Sequence, residues 1–168
     1  STTPVSQDSR LVELKPIAYG YRSFDRQWIV PDHRLLDRPG PSFGAAGGDQ
    51  LFLVTLTSTA LGFGPAVTVS PYVPDLHFFN NRGAKDVHPL YRTAGTTQPN
   101  ISSALLAALT STYNREVEPF EVAAYVVGLL GTGAYTQRFG EELSEAIAHV
   151  PFSADTALFG QVVDFGRR

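Results

Sequence analysis

The spacing of apolar residues changes near residue 100, and this change constrains the fold more than any other feature of the sequence. Before it, short apolar runs are separated by proline and glycine, which is typical of strands. The clearest run is Leu51–Ser58, in which Phe52, Val54 and Leu56 would share one face. After it, apolar residues recur at the three- and four-residue spacing of helices. The sequence therefore predicts an α+β fold in which a sheet precedes a group of helices.

The predicted sheet is mixed or antiparallel. Proline and glycine divide it into short segments, because proline cannot donate to a ladder and glycine favours turns. Strands are expected at Leu11–Leu14, Ile17–Arg22, Gln27–Val30, Leu51–Ser58, Ala66–Ser70, Asp75–Phe79 and Val87–Tyr91.

A bundle of about four helices is predicted to follow. The first is expected to begin at Asn100, Ser102 or Ser103 as N-cap, and the last at Ser153. The second is apolar nearly all round, which indicates a buried central position. The expected helices are Ile101–Tyr113, Pro119–Leu130, Ala134–Ala148 and a last one that ends near Gly166.

Composition narrows the class of protein. The chain has 168 residues, of which 43% are hydrophobic and 17% charged, as in a globular domain with a real core. No apolar run reaches the roughly 18 residues of a membrane span, so no membrane partner is expected. Without cysteine there is no disulfide, thiol nucleophile or thiolate metal site, and the absence favours a cytoplasmic location.

Methionine is absent, including at position 1. This absence predicts a piece of a longer protein. Residues 1–9 are interpreted as a linker or the edge of the excised piece. Residues 10–168 are interpreted as one domain, with a β-rich lobe at 10–92 and a helical lobe at 93–168.

Charge is unevenly distributed along the chain. Residues 1–92 carry nine basic and eight acidic groups, whereas residues 93–168 carry four and eight, which gives the net charge of −3. The stretch Tyr21–Pro41 contains four of the eleven arginines together with the single tryptophan, Trp28. Either these arginines are paired within a structural hairpin, or they belong to a surface that meets a polyanion.

Motifs for catalysis are weak. Gly62 and Gly64 are followed by Pro65 and by no helix, so a phosphate-binding loop is not expected. Paired glutamates on the helices are interpreted as solvated faces. A small metal-dependent enzyme that uses Asp75, His77 and His88 remains an alternative. A second alternative is a protein-interaction module that docks through the helical half.

A polar, basic loop interrupts the sheet half. Residues 76–79 and 87–91 would flank Asn80, Asn81, Arg82 and Lys85 in a hairpin. Arginine pairs bidentately with guanine and asparagine with adenine, while lysine contacts phosphate or guanine. The same residues also suit an ordinary turn. DNA contact is therefore a hypothesis from the residues alone.

Several segments, in order, resemble the C-terminal specificity domain of type ISP restriction–modification enzymes. They are YRSFDRQWIVPD, LDRPGP, GPAVTVSPYVPDLHFFNNRGAKDVHPLYR, PNISSALLAAL, AYVVGLLGTGAYTQRFGEEL and VPFSADTALF. The resemblance runs from about residue 10 to 166. Related single-chain enzymes with N6-adenine methyltransferase domains share part of these patterns. The chain departs from the usual pattern at Ser23, Pro31 and His88.

The resemblance implies a DNA target-recognition domain that is not itself an enzyme. A methyltransferase and a translocase of the same polypeptide would be its partners, beside double-stranded DNA. The fragment needs no cofactor, and the parent enzyme would use S-adenosylmethionine, ATP and magnesium. The chain lacks the methyltransferase Asn-Pro-Pro-Tyr motif and the ATPase loop.

Shared motif residues such as Tyr21, Phe24, Asp25 and Trp28 are interpreted as scaffold, because specificity lies in what differs between members. Arg22 and Arg26, which bracket Asp25, are expected to contribute to a structural ion pair or to a hydrogen-bonded hairpin. The predicted phosphate contacts are Arg34, Arg38, Lys85 and Arg92, and the predicted base-reading residues are Asn80, Asn81 and Arg82.

Overall fold

The computed structural model describes residues 15–32, 34–36, 40–56, 64–78, 85–145 and 149–168. Within these ranges, strands come first and helices follow, so the predicted α+β fold is confirmed. The predicted strand at Leu11–Leu14 lies outside the described residues. The strands are β1 (Ile17–Arg22), β2 (Asp25–Ile29), β3 (Phe52–Leu56), β4 (Val67–Ser70), β5 (Val73–Pro74) and β6 (Lys85–Pro89).

The first sheet has the order β2-β1-β5 and is mixed. β1 and β2 form an antiparallel hairpin in which Ala18 faces Trp28 and Gly20 faces Arg26, and the register shifts between Gly20 and Arg22. β5 is parallel to β1. The turn of the hairpin consists of only two residues, Ser23 and Phe24.

The second sheet has the order β4-β3-β6 and is antiparallel throughout. Phe52, Val54 and Leu56 are buried, as the alternation predicts, but Leu53 on the other face is buried as well. Both faces of β3 are therefore covered, one of them by the helices through Leu53.

One predicted strand, Asp75–Phe79, is wrong over its described part, because Asp75–Phe78 forms a turn. The Asp75 carboxylate accepts a hydrogen bond from the His77 backbone N–H at 2.8 Å, and the Asp75 carbonyl accepts one from the Phe78 N–H at 3.0 Å. A carboxylate that bonds its own backbone two residues on favours a turn over a ladder. β6 accordingly pairs with β3.

The helices are α1 (Ser103–Tyr113), α2 (Pro119–Leu130), α3 (Gly133–Arg138), α4 (Gly140–Glu145) and α5 (Thr156–Gly166). The predicted third helix is thus two short helices separated at Phe139. Ser153 is not the cap of the last helix. The Asp155 carboxylate accepts from the N–H groups of Ala157 and Leu158 and caps α5 instead.

α2 is central, as its apolar sequence predicts, and packs along α5. The rings of Tyr125 and Phe159 stack between them with centroids 4.9 Å apart. At the other end, the Leu130 carbonyl of α2 accepts a hydrogen bond from the Ala66 N–H at 2.8 Å. One buried cluster that includes Leu53 and Ala123 spans sheet and helices, so the two lobes share part of their core. Within the described residues no helix has the length and apolarity that a membrane crossing requires.

Candidate nucleic-acid interface

Arg34 lies in a short turn after β2 and binds Asp32. Its Nε–H donates to Oδ1 of Asp32 at 2.7 Å, and its Nη2 donates to Oδ2. The carboxylate is buried, whereas the guanidinium retains about a quarter of its exposure. This bidentate pair orients Arg34 and neutralises much of its charge. Arg34 stays a predicted phosphate contact, now one that is held by a structural pair.

Arg92 lies just beyond β6 and is exposed. Its backbone is anchored by two neighbouring features: its own N–H donates to the Gln98 carbonyl at 3.1 Å, and Tyr91 forms a bridge with Pro99. Arg92 is therefore presented from a fixed backbone. Lys85 begins β6 at the opposite end of the strand. Of the other predicted site residues, Arg38, Asn80, Asn81 and Arg82 lie outside the described residues.

Gln50 is a positioning residue that the sequence did not indicate. Its buried side-chain amide donates to the carbonyls of Ala45 and Tyr91 at 2.9 and 2.8 Å, and its Oε1 accepts from the N–H groups of Leu51 and Tyr91. These bonds join the loop before β3 to the residue that precedes Arg92. A buried amide whose donors and acceptor are all satisfied makes the local backbone rigid.

The β1–β2 hairpin exposes aromatic side chains. Phe24 at the turn is fully exposed, Trp28 retains 69% of its exposure and Tyr21 retains 41%. The scaffold role predicted for these residues does not match this exposure. They belong instead to the surface of the domain. Their exposure could not be predicted from the sequence, because exposed and buried aromatic residues look alike in a short strand.

Two guanidiniums flank this aromatic tip. Nη1 of Arg22 donates to the Tyr21 carbonyl at 2.9 Å and lies 3.4 Å from Oδ1 of Asp75, and its Cζ lies 4.2 Å from the Tyr21 ring centroid. Nη1 of Arg26 donates to the Tyr72 hydroxyl at 2.9 Å. Arg22 thus forms a structural ion pair, and its partner is Asp75 and not the neighbouring Asp25. Asp25 accepts from the Gln27 side chain.

Asp75 joins the hairpin to the turn after β5. Besides Arg22 it accepts from the Tyr19 hydroxyl at 2.8 Å, and its Oδ1 lies 3.1 Å from Nδ1 of His77. Burial alone would raise the pKa of Asp75, but hydrogen bonds from the His77 N–H, Tyr19 and the His77 ring together lower that pKa below its usual value. Burial, followed by the bond to Asp75, raises the pKa of Tyr19 well above its usual value.

A cleft with a volume of about 360 Å³ lies beside the hairpin, between β1–β2 and the turn that follows β4. The cleft is lined by two guanidiniums, by aromatic side chains and by backbone atoms. Its lining residues include Gly20, Arg22, Phe24, Arg26, Tyr72 and Phe78.

The three side chains proposed for a metal site do not converge. Asp75 and His77 are in contact, but His88 lies on β6 beside Thr55, with Nε2 at 3.4 Å from the threonine hydroxyl. In the described ranges no group of three or more acidic or histidine side chains is placed to hold a metal ion.

A sequence model of the type ISP C-terminal specificity domain matches residues 5–168. Among curated proteins, none is significantly similar to the chain.

Three solved structures contain a domain of the same fold. The first is a cryo-EM structure of a DrdV–DNA complex, at 19% identity and a TM-score of 0.72 over 90% of this chain and 15% of that one. The second is a nuclease-deletion mutant of the type ISP restriction–modification enzyme LlaGI in complex with a DNA substrate mimic, at 19% identity and a TM-score of 0.61 over 90% and 13%. The third is the ATP-dependent type ISP restriction–modification enzyme LlaBIII bound to DNA, at 16% identity and a TM-score of 0.68 over 92% and 10%. The chain spans about a tenth to a seventh of these proteins.

Proposed function

The chain belongs to the type ISP C-terminal specificity domain family, and from this membership we propose that it recognises a target sequence in double-stranded DNA. It would position that DNA for N6-adenine methylation and for restriction by other domains of a longer polypeptide. The observation that carries the proposal is the family match over nearly the entire chain. The DNA complexes in which the same fold occurs support it.

The chemistry is assigned to the parent polypeptide. S-adenosylmethionine, ATP and magnesium would bind to its methyltransferase and translocase domains, which are the proposed protein partners. A cytoplasmic location belongs to the same proposal, because the chain lacks cysteine, which fits a reducing compartment. A specificity domain contributes binding energy and register, and it leaves the extrusion of the target base to the catalytic domain.

The proposed DNA contacts surround β6. Lys85 begins this strand and Arg92 follows its far end, and the Cα atoms of Lys85 and Pro89 at the two ends of the strand are about 13 Å apart. The two cations would reach different phosphates and set the register, together with Arg34 and Arg38. Base edges would be read from the segment that precedes β6, by Asn80, Asn81 and Arg82.

A binding titration tests the proposal. A labelled duplex would be titrated with the chain at several salt concentrations, and its fluorescence anisotropy would be followed. Replacing the base-reading Arg82 by alanine is expected to weaken binding to the preferred sequence by about 1–3 kcal/mol and to relax one position. Arg138→Ala, in the helical lobe, is the matched control and is expected to bind like the unmodified chain.

The outcomes separate the parts of the proposal. Binding could be sensitive to salt while Arg82→Ala changes neither its affinity nor its sequence preference. That result would refute the base-reading role of Arg82 but would agree with DNA binding by the chain. A chain that binds no duplex at low salt would contradict DNA recognition by this domain alone.

A second surface favours the protein-interaction alternative. Leu158 and Phe165 are exposed seven residues apart on α5, and Phe120 is exposed at the start of α2. Residues seven apart share one face of a helix. A concentration-dependent dimer in size-exclusion chromatography that Phe165→Ser abolishes would support docking through this helical surface.

A further inference from the structure

We propose that the β1–β2 hairpin is a base-stacking element, in which Phe24 stacks on an unstacked nucleobase while Arg22 and Arg26 approach the neighbouring phosphates. The inference deepens the proposed function and rests on it. It adds a DNA contact in a part of the chain from which no base contact was predicted.

The position of Phe24 is the first argument. It occupies a two-residue turn at the end of a two-stranded ribbon and is fully exposed, and Trp28 on β2 is largely exposed as well. An aromatic ring that is exposed at a turn has little contact area in the isolated domain. It gains contact area when it stacks on a base.

The stiffness of the turn is the second argument. The Ser23 hydroxyl donates to the Phe78 carbonyl at 2.8 Å and ties the turn to the rest of the sheet. A side chain on Gly20 would meet the Phe78 ring at 2.9 Å, so the hairpin lies close against that ring. The backbone that carries Phe24 is therefore held in place, while the ring itself stays uncovered. A fixed backbone reduces the conformational entropy that the turn loses on binding.

The two guanidiniums are the third argument. Their described hydrogen bonds all use Nη1, which leaves Nε–H and Nη2 of Arg22 and Arg26 available to phosphate oxygens. Tyr72 holds Arg26 without neutralising it, and no carboxylate within the described residues pairs with Arg26. Cations that alternate with exposed aromatics along one ribbon are typical of surfaces that track a nucleic-acid backbone and stack its bases.

A protein partner would also accept Trp, Tyr and Arg, which are frequent in interface hot spots. A two-residue turn with a single fully exposed ring, beside a guanidinium that no described carboxylate pairs with, fits an opened base step better than a broad protein surface. An inserted apolar side chain is a known way to unstack such a step. The stacked base comes either from a single strand or from an opened position in a duplex, and an experiment separates the two sources.

Trp28 is the only tryptophan of the chain and reports on the hairpin directly. The chain would be titrated with a duplex, with one of its strands alone and with the same duplex carrying one bulged base. DNA anisotropy would report binding, and tryptophan emission would report contact with the hairpin. Phe24→Ala would be compared with Gln137→Ala, a change at an exposed residue on α3 that belongs to neither proposed surface.

We expect the emission to be quenched as binding saturates, and Phe24→Ala to weaken binding at least about fivefold, while Gln137→Ala has no effect. A stronger response to the bulged duplex than to the single strand would assign the base to an opened duplex, and the reverse order to a free strand. DNA binding with unchanged emission and a neutral Phe24→Ala would overturn the stacking element, would leave DNA recognition intact and would favour a protein partner. Loss of binding to all three DNAs would overturn both proposals.

Discussion

At the scale of single residues, two aspartates organise the surface that carries the arginines. Asp75 joins β1, the turn after β5 and Arg22, and Asp32 holds Arg34. The sequence places Asp25 between Arg22 and Arg26, and Asp32 two residues before Arg34, but it does not show with which aspartate each arginine pairs. Pairing depends on the register of the hairpin and on the turn that replaces the predicted strand at Asp75, and neither is encoded in local spacing.

Replacing Asp75 by asparagine is expected to lower the free energy of unfolding at neutral pH by about 1.5–3 kcal/mol, the range for hydrogen bonds to a charged group. Because the pKa of Asp75 is lowered in the folded state, its stabilising contribution is fully present above the ordinary pKa of about 4 and is lost as the pH falls through the folded value. The difference between the two proteins should therefore narrow below about pH 4. Urea unfolding between pH 3 and pH 7 measures this, with the exposed Asp164→Asn as control.

Replacing Arg34 by alanine tests whether this residue serves the fold. The change leaves a buried carboxylate without its bidentate partner, and we expect a loss of stability of roughly 3 kcal/mol, at the low end for breaking a buried pair because Arg34 is partly exposed. Thermal and urea unfolding would measure the loss. Arg26→Ala, which breaks only a bond to a tyrosine hydroxyl, is the control. An Arg34 variant as stable as the control would mean that the pair with Asp32 does not stabilise the fold.

At the scale of elements, the long periodic segments were predictable and the short ones were not. α2 has the predicted bounds. Proline at its first position marks where the helix begins, and its nearly continuous apolar surface predicts a buried helix up to Leu130. The predicted helix at residues 134–148 breaks at Phe139, where the chain leaves helical geometry, although the spacing continues across it. The N-cap of α5 is Asp155, two residues after the predicted cap. Its carboxylate accepts two backbone hydrogen bonds, which the spacing of residues in the sequence cannot reveal.

The contact between α2 and α5 yields an element-scale prediction. A Cβ on Gly128 would lie 2.4 Å from the Val162 carbonyl oxygen, so Gly128→Ala must push the helices apart. We expect a loss of about 1–3 kcal/mol, as for overpacking. Gly160→Ala on α5 meets no atom within 4 Å, and alanine's helix propensity should stabilise it by about 0.5–1 kcal/mol. The midpoint of chemical denaturation should thus fall for Gly128→Ala and rise for Gly160→Ala. A Gly128→Ala variant as stable as the unmodified chain would refute the close approach of the two helices.

At the scale of the whole molecule, the lobe that the sequence marks as basic carries the candidate DNA surface. Residues 1–92 have a charge of +1 and residues 93–168 a charge of −4, so the field of the chain is polarised from sheet to helices. The sequence indicated this lobe and the family. It could not indicate that the hairpin is exposed, because exposure is decided by what the other elements cover. The predicted site residues that lie outside the described ranges remain predictions.

The polarisation predicts how salt acts on DNA binding. Each phosphate contact contributes about −0.9 to the slope of log affinity against log salt, so Arg92→Gln should make the slope shallower by about that amount. Glu141 and Glu142 are exposed on α4, in the acidic lobe. Replacing both by glutamine raises the net charge by two, yet it should leave the slope unchanged because no phosphate lies beside them, and it should raise affinity only slightly at low salt. Anisotropy titrations at four salt concentrations would compare the variants. The prediction would be wrong if the double glutamine variant steepened the slope by as much as Arg92→Gln flattens it. The DNA would then lie across the helical lobe, and net charge rather than a defined surface would determine binding.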